Sequence, residues 1–130
     1  MGSDHARQLE PLSDLFKCAL DLGMPRSVAI LGIAGGNGLE RVDCTVTKKI
    51  LGLDINVRYL DAVRQRYSAL PSLELYCTDL AGEHLNLPPV ELVHAALVFE
   101  HLGLGGCLEN ALSLVAPGGK LSVVRRRGMV

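Results

Sequence analysis

Four glycines, Gly32, Gly35, Gly36 and Gly38, stand within seven residues, at the end of an apolar run that begins at Ser27. Bare backbone at this density lets a ligand reach main-chain N–H groups that side chains would shield, and glycine takes the positive φ angles that a sharp turn needs. Further along, Asp54 follows the apolar run Ile50-Leu-Gly-Leu53, and Asp79 closes the run that starts at Leu73. A carboxylate has two acceptor oxygens, so either acid can receive a pair of hydroxyls, such as those of a ribose, or an exocyclic amine. The alternative is a tight turn with no ligand and two solvated acids at strand ends. The glycine turn and the two acids together favour a nucleoside.

Such groups converge only if the chain between them folds to bring them together, and its periodicity shows how. Leu12, Leu15, Phe16, Ala19 and Leu20 form a helical stripe over Pro11 to Leu22, with Gly23 as end cap and Pro25 preventing continuation. Ser27 to Ala34 is a first strand entering the glycine turn, and Leu39 to Val42 allows only a short helix. A second strand spans about Lys49 to Ile55. Asn56 then caps a helix whose apolar face is Leu60, Val63, Tyr67 and Leu70, closed by Pro71. Leu73 to Asp79 is a third strand, and Leu80 to Pro89 is loop. Val90 to Phe99 is a fourth strand, apolar on both faces at its far end and therefore central. Leu104, Cys107, Leu108, Ala111, Leu112 and Val115 form the most regular helical stripe. Pro117-Gly-Gly119 is a turn and Lys120 to Val124 the fifth strand.

This alternation predicts an α/β fold with a doubly wound, mainly parallel sheet, helices on both faces and right-handed crossovers. In such sheets ligands lie at the carboxyl ends of the strands. The expected organisation is an N-terminal helical segment, 1–26, packed on a single α/β domain, 27–130.

The whole-chain numbers exclude several classes. A net charge of −1 gives no reason to expect nucleic acid or an anionic membrane as partner, and 4% aromatic residues leave little for base stacking. The apolar runs are strand-sized, too short for a membrane span. Cys18, Cys44, Cys77 and Cys107 are widely spaced, each among apolar neighbours, with no histidine at ligand spacing. They are read as reduced thiols behaving as small hydrophobes in a cytoplasmic protein, with no metal site.

A dinucleotide fingerprint wants G-x-G-x-x-G opening a long helix. After Gly36 and Gly38 the third glycine would fall at position 41, where Arg41 stands, so one nucleoside with a compact polar tail fits better than a pyrophosphate. The order of Ala34-Gly-Gly-Asn-Gly38, Leu53-Asp54, Cys77-Thr-Asp79, Val98-Phe-Glu-His-Leu102 and Ala116-Pro-Gly-Gly-Lys120 resembles the class I S-adenosylmethionine-dependent methyltransferases. The resemblance covers about Ser27 to Val124. It implies a Rossmann-like core with strand order 3-2-1-4-5 and S-adenosylmethionine as cofactor. Gly32, Ala34, Gly35, Gly36 and Gly38 would pass under the methionine part, Asp54 would hold the ribose hydroxyls and Asp79 would lie beside the adenine. Ile55, Leu80, Ala96 and Leu97 complete the implied cofactor-binding set.

Two departures stand out. The family usually carries an acid where Gly32 stands, and its fold usually adds an antiparallel hairpin after strand five, whereas this sequence stops at Val130. The second implies a fragment or shortened form, or an edge covered by another subunit; pairing of two chains through the strand-five edge is the expectation. Arg125-Arg126-Arg127 beside that edge reads as a solvated tail or as edge protection by charge. Glu100 and His101 follow strand four, where the family often presents acceptor-side groups. Imidazole titrates near neutrality, so His101 is a candidate base; a surface histidine at a helix start is the alternative. The expected activity is methyl transfer to a small-molecule acceptor that the sequence does not name. A non-catalytic S-adenosylmethionine-binding or assembly subunit is the alternative, and an NAD-dependent oxidoreductase is disfavoured by Arg41.

Overall fold

A computed structural model of the chain describes residues 14–32, 39–70, 72–80, 82, 85–96 and 105–124. Helix α1 (14–23) leads into β1 (Ser27–Leu31), followed by a 3₁₀ turn at Leu39–Arg41, β2 (Lys49–Asp54), α2 (Val57–Arg66) and β3 (Leu73–Cys77). Strand β4 (Val90–Ala96), helix α3 (Gly105–Leu114) and β5 (Val115–Val124) complete the order. The strands form one sheet in the order β3-β2-β1-β4-β5, every pairing parallel. This is the expected doubly wound architecture.

Side chains alternate faces along a strand, and the core divides accordingly. Val28 and Ile30 of β1, Ile50 of β2 and Leu92 of β4 pack with Phe16 and Leu20 of α1 and Leu60 and Val63 of α2. Ala29 and Leu31, Leu51 and Leu53, and Val93 and Ala95 face the other way, onto Cys107, Ala111 and Leu114 of α3 and onto Leu80 and Leu85. The sheet is therefore buried from both sides, which is why its inner strands read as continuous apolar runs. The stripe expected for α2 holds: Leu60 and Val63 are buried, with Tyr67 and Leu70 packed beside them just past the helix end.

Several expectations need correction. On α1, Leu15 faces solvent while Phe16 and Leu20 are buried. Gly23 is the last helical residue, and the left-handed position after it belongs to Met24 (φ +42°), whose N–H bonds Leu20 O at 2.8 Å. Leu112 of α3 points to solvent, one step round the helix from buried Ala111. Strand β5 begins at Val115, not Lys120: Val115 pairs with Val90 and Lys120 with Leu92, so Ala116 to Gly119 bulge out against the single residue Glu91. Gly118 has φ +79°, and a Cβ on Gly119 would sit 2.8 Å from Glu91 O, so the glycines make this bulge possible. Cys18, Cys44 and Cys77 are exposed despite their apolar neighbours in sequence; only Cys107 is buried, and all four are free. Pro11, Leu12, Pro71 and the continuation of strand four through Phe99 lie outside the described residues. No helix among the described residues is long and apolar enough to cross a membrane.

His94, in the middle of β4, is 3% exposed. Its Nδ1 lies 3.0 Å from Ser122 Oγ and its ring centroid 4.8 Å from that of Phe16. Burial pushes its pKa down from 6.5 to about 4. The unfolded chain therefore binds a proton that the folded chain refuses throughout this window, and stability must fall as pH drops from 6.5 toward 4. At 1.36 kcal/mol per pKa unit the loss between pH 7 and pH 5 is about 2 kcal/mol. Urea denaturation at the two pH values should show this loss in the native protein and a much flatter dependence in His94→Gln.

Candidate functional site

The register aligns the carboxyl ends of four strands. Leu31 pairs with Leu53 on one side and Ala95 on the other, so β1, β2 and β4 run out at one level. The next residue of β1, Gly32, turns with φ +69°, its N–H bonded to Leu53 O at 2.8 Å. That angle accounts for glycine where the resembling family carries an acid: a side chain there would be held in the left-handed region.

Asp54 ends β2 and is 9% exposed. One carboxylate oxygen, Oδ1, accepts the N–H of Asn56 at 2.9 Å. Asn56 is the N-cap of α2, its own Oδ1 accepting from Arg58 N at 2.9 Å and Tyr59 N at 3.3 Å. The acid is thus oriented by the same turn that starts the next helix. The main-chain oxygen of Asp54 takes the Thr78 N–H at 3.0 Å, and the Cys77 thiol reaches Ile55 O at 3.4 Å. These two bonds tie the outgoing ends of β2 and β3 together. Ile55, between Asp54 and the cap, is 61% exposed and offers apolar surface at the rim.

Asp79 lies two residues beyond β3, half-buried. Gly82 closes a turn onto it, its N–H bonding Asp79 O at 3.3 Å; a Cβ on Gly82 would meet Asp79 Oδ2 at 2.8 Å. Leu80 is buried in the core, so what it brings to the rim is backbone. On α3, Cys107 is buried, and burial first and the charge of Asp79 second push its thiol pKa up. Asn110, one turn further, donates to Leu80 O at 2.8 Å and accepts from Leu85 N at 3.3 Å.

Of the residues singled out from sequence, the fold thus gathers Gly32, Asp54, Ile55, Asp79, Leu80 and Ala96 at one rim. Ala34, Gly35, Gly36, Gly38, Leu97, Glu100 and His101 lie outside the described residues. Sequence reasoning passed over Asn110 and Gly82. The signal for Asn110 was present: it sits three residues after Cys107, on the buried face of an apolar stripe. Among the described residues no cluster of three or more histidine, cysteine or acidic side chains is arranged to hold a metal. A groove of about 170 Å³ lined by Pro25, Glu91, Gly119 and Lys120 lies at the opposite end of the sheet, away from both acids.

A family described as "methyltransferase domain" matches residues 31–123, from the last residue of β1 almost to the end of β5. The chain belongs to the methyltransferase-domain family. Solved methyltransferases share its fold. The N-methyltransferase NodS from Bradyrhizobium japonicum WM9, in complex with S-adenosyl-L-homocysteine, superposes with a TM-score of 0.75 at 22% identity, over 86% of this chain and 58% of its own. Coclaurine N-methyltransferase, bound to N-methylheliamine and S-adenosylhomocysteine, gives 0.73 at 16% identity over 88% and 35%. CalS10, an S-adenosylmethionine-bound amino pentose methyltransferase from Micromonospora echinaspora involved in calicheamicin biosynthesis, gives 0.67 at 20% over 90% and 49%. This chain therefore spans about three fifths of NodS and less of the other two. No curated protein sequence matches it.

Within this methyltransferase domain the Asn56 cap links helix α2 to the placement of Asp54. Asn56→Ala removes the side-chain acceptor for two helix N–H groups and should cost about 1 kcal/mol in urea denaturation, with Asn56→Asp close to the native value. Native stability in Asn56→Ala would show that the cap contributes nothing.

Proposed function

We propose that this domain binds S-adenosylmethionine across the carboxyl ends of β1 to β4 and transfers a methyl group to a small-molecule acceptor. The observation that carries this reading is a buried, oriented Asp54 on β2 and Asp79 on the adjacent strand end, within the segment matched by the family. Neighbours of the same fold bound to S-adenosylmethionine or S-adenosylhomocysteine support the cofactor, and the N-methylheliamine bound to one of them and the amino pentose methylated by another support a small acceptor.

The described residues fit an adenosine. Gly32 keeps the backbone bare where β1 leaves the sheet. Asp54, its carboxylate aimed by the Asn56 N–H, accepts the ribose hydroxyls; Ile55 gives apolar surface for the base; Asp79 accepts from the exocyclic amine. When bound, this cofactor supplies a methyl group already activated on a sulfonium. What remains for the protein is binding and orientation, with a base needed only where the acceptor holds its proton tightly. Glu100 and His101 are the acceptor-side candidates. The free cysteines fit a reducing, cytoplasmic setting.

One observation favours a second reading, a non-catalytic cofactor-binding or assembly subunit: Gly32 offers no carboxylate for the cofactor's amino group. A dinucleotide site has less support, since the turn after the glycines is a three-residue 3₁₀ helix and Arg41 is held by Asp14 at 2.8 Å. We further infer that two chains pair through β5, which lies at the sheet edge with Val123 exposed. Gel filtration at high micromolar concentration should show a dimer, and monomeric elution would remove that proposal.

Calorimetric titration tests the cofactor. S-adenosylhomocysteine and S-adenosylmethionine should bind and NAD should not, with Asp54→Ala weakening binding at least tenfold, about 1.4 kcal/mol. Binding of NAD alone, or an Asp54→Ala variant of native affinity, would overturn the assignment. Methyl transfer from labelled donor to a panel of small amines and hydroxyl compounds then separates enzyme from binding subunit.

A further inference from the structure

We infer that Asn110 is a positioning residue for the adenine end of the proposed cofactor site, latching the loop after β3 to α3 and so setting where Asp79 stands. The inference rests on the cofactor reading above and names a residue that this reading does not use.

Asn110 is 6% exposed, in the middle of α3, on the face that carries Cys107, Ala111 and Leu114 into the core. Asparagine is a poor helix former there, and an amide removed from water costs free energy unless both its ends are bonded. Leucine would suit the helix and the core better, so the amide calls for a reason. Its partners supply one. Nδ2 donates to Leu80 O at 2.8 Å and Oδ1 accepts from Leu85 N at 3.3 Å, both main-chain groups of a segment 25 to 30 residues away in sequence. The described residues between β3 and β4 form no helix or strand, so their backbone groups have no ladder to bond to. The single side chain Asn110 serves two of them.

The bond to Leu80 O sits directly beside Asp79. Asp79 O in turn receives the Gly82 N–H at 3.3 Å, so the acid lies between β3 and a loop anchored at residues 80 and 85. Leu80 and Leu85 are buried against α3. Apolar contact alone would let this loop slide over the helix, whereas two directional bonds to one amide fix its register. Cys107, one turn before Asn110, feels the charge of Asp79, so this part of α3 lies within electrostatic reach of the acid it positions.

A residue that places Asp79 affects recognition of the adenine amine more than affinity in general. The test is calorimetric titration of native protein, Asn110→Leu and Asn110→Asp with S-adenosylhomocysteine and with S-inosylhomocysteine, which has an oxo group where the amine stood. The native domain should prefer the adenosine compound, and both variants should reduce that preference at least fivefold. Gly82→Ala perturbs Asp79 from the opposite side, its new Cβ meeting Oδ2 at 2.8 Å, and should produce the same narrowing. That narrowing shows that Asp79 reads the amine; if Asn110→Leu does not fold, the near-isosteric Asn110→Asp, which loses the donor to Leu80 O, decides the role of Asn110. A native preference retained in the variants, or an equal loss for both compounds, would overturn the inference while leaving the cofactor reading in place. Failure of the native protein to bind S-adenosylhomocysteine would instead remove the cofactor reading, and the role of Asn110 with it.

Discussion

Parallel pairing around a central strand buried on both faces is the constraint on which the rest of this domain depends. Val28, Ala29 and Leu31 of β1 have no exposed surface, and their neighbours on β2 and β4 are buried with them. A slip of one residue would exchange the two faces of a strand and set apolar groups against the wrong layer, so register is held by the whole core. Parallel strands all end on the same side. Register and direction together bring Gly32, Asp54 and Ala96 to a common level, with Asp79 just beyond the adjacent strand.

Backbone hydrogen bonds fix the polar groups at that rim. Asp54 is oriented by an N–H from the turn that caps α2, the ends of β2 and β3 are tied through Thr78 and Cys77, and the loop bearing Asp79 is tied to α3 by one amide. The Asn56 and Asn110 bonds join helices on the two faces of the sheet to the rim, so packing of α2 and α3 on the core is transmitted to the two carboxylates. The ion pairs Lys17–Asp21, Arg41–Asp14 and Arg64–Asp61 are largely exposed and contribute little by comparison.

Most of the architecture was legible because it rests on local patterns. The apolar runs of β1, β2 and β4 and the stripe Leu60, Val63 and Tyr67 are set by periodicity, and the Asn56 cap by side-chain chemistry within four residues. Errors arose where local pattern does not decide. Leu112 and Leu15 are apolar yet face solvent, because a helix has room for more apolar residues than its buried stripe can cover. Strand β5 starts early because Val115 finds a partner in Val90 across a bulge that no local rule specifies. Cys18, Cys44 and Cys77 share apolar neighbours with Cys107 but not its face. The left-handed residue after α1 is Met24, where the sequence offered glycine one position earlier.

By itself the sequence determined the strand and helix order, the placement of two acids at or just past strand ends, and the family. Order and placement follow from side-chain type and spacing along the chain, and the family from a resemblance carried by the order of its motifs. Only the tertiary structure decided that Gly32 is a left-handed turn bonded to Leu53, that Asp54 is buried and aimed by Asn56, and that Asn110 reaches across to hold the loop at Asp79. Those are properties of residues brought together from different strands and helices. Their burial and hydrogen-bond partners exist only once the two faces of the sheet have been covered.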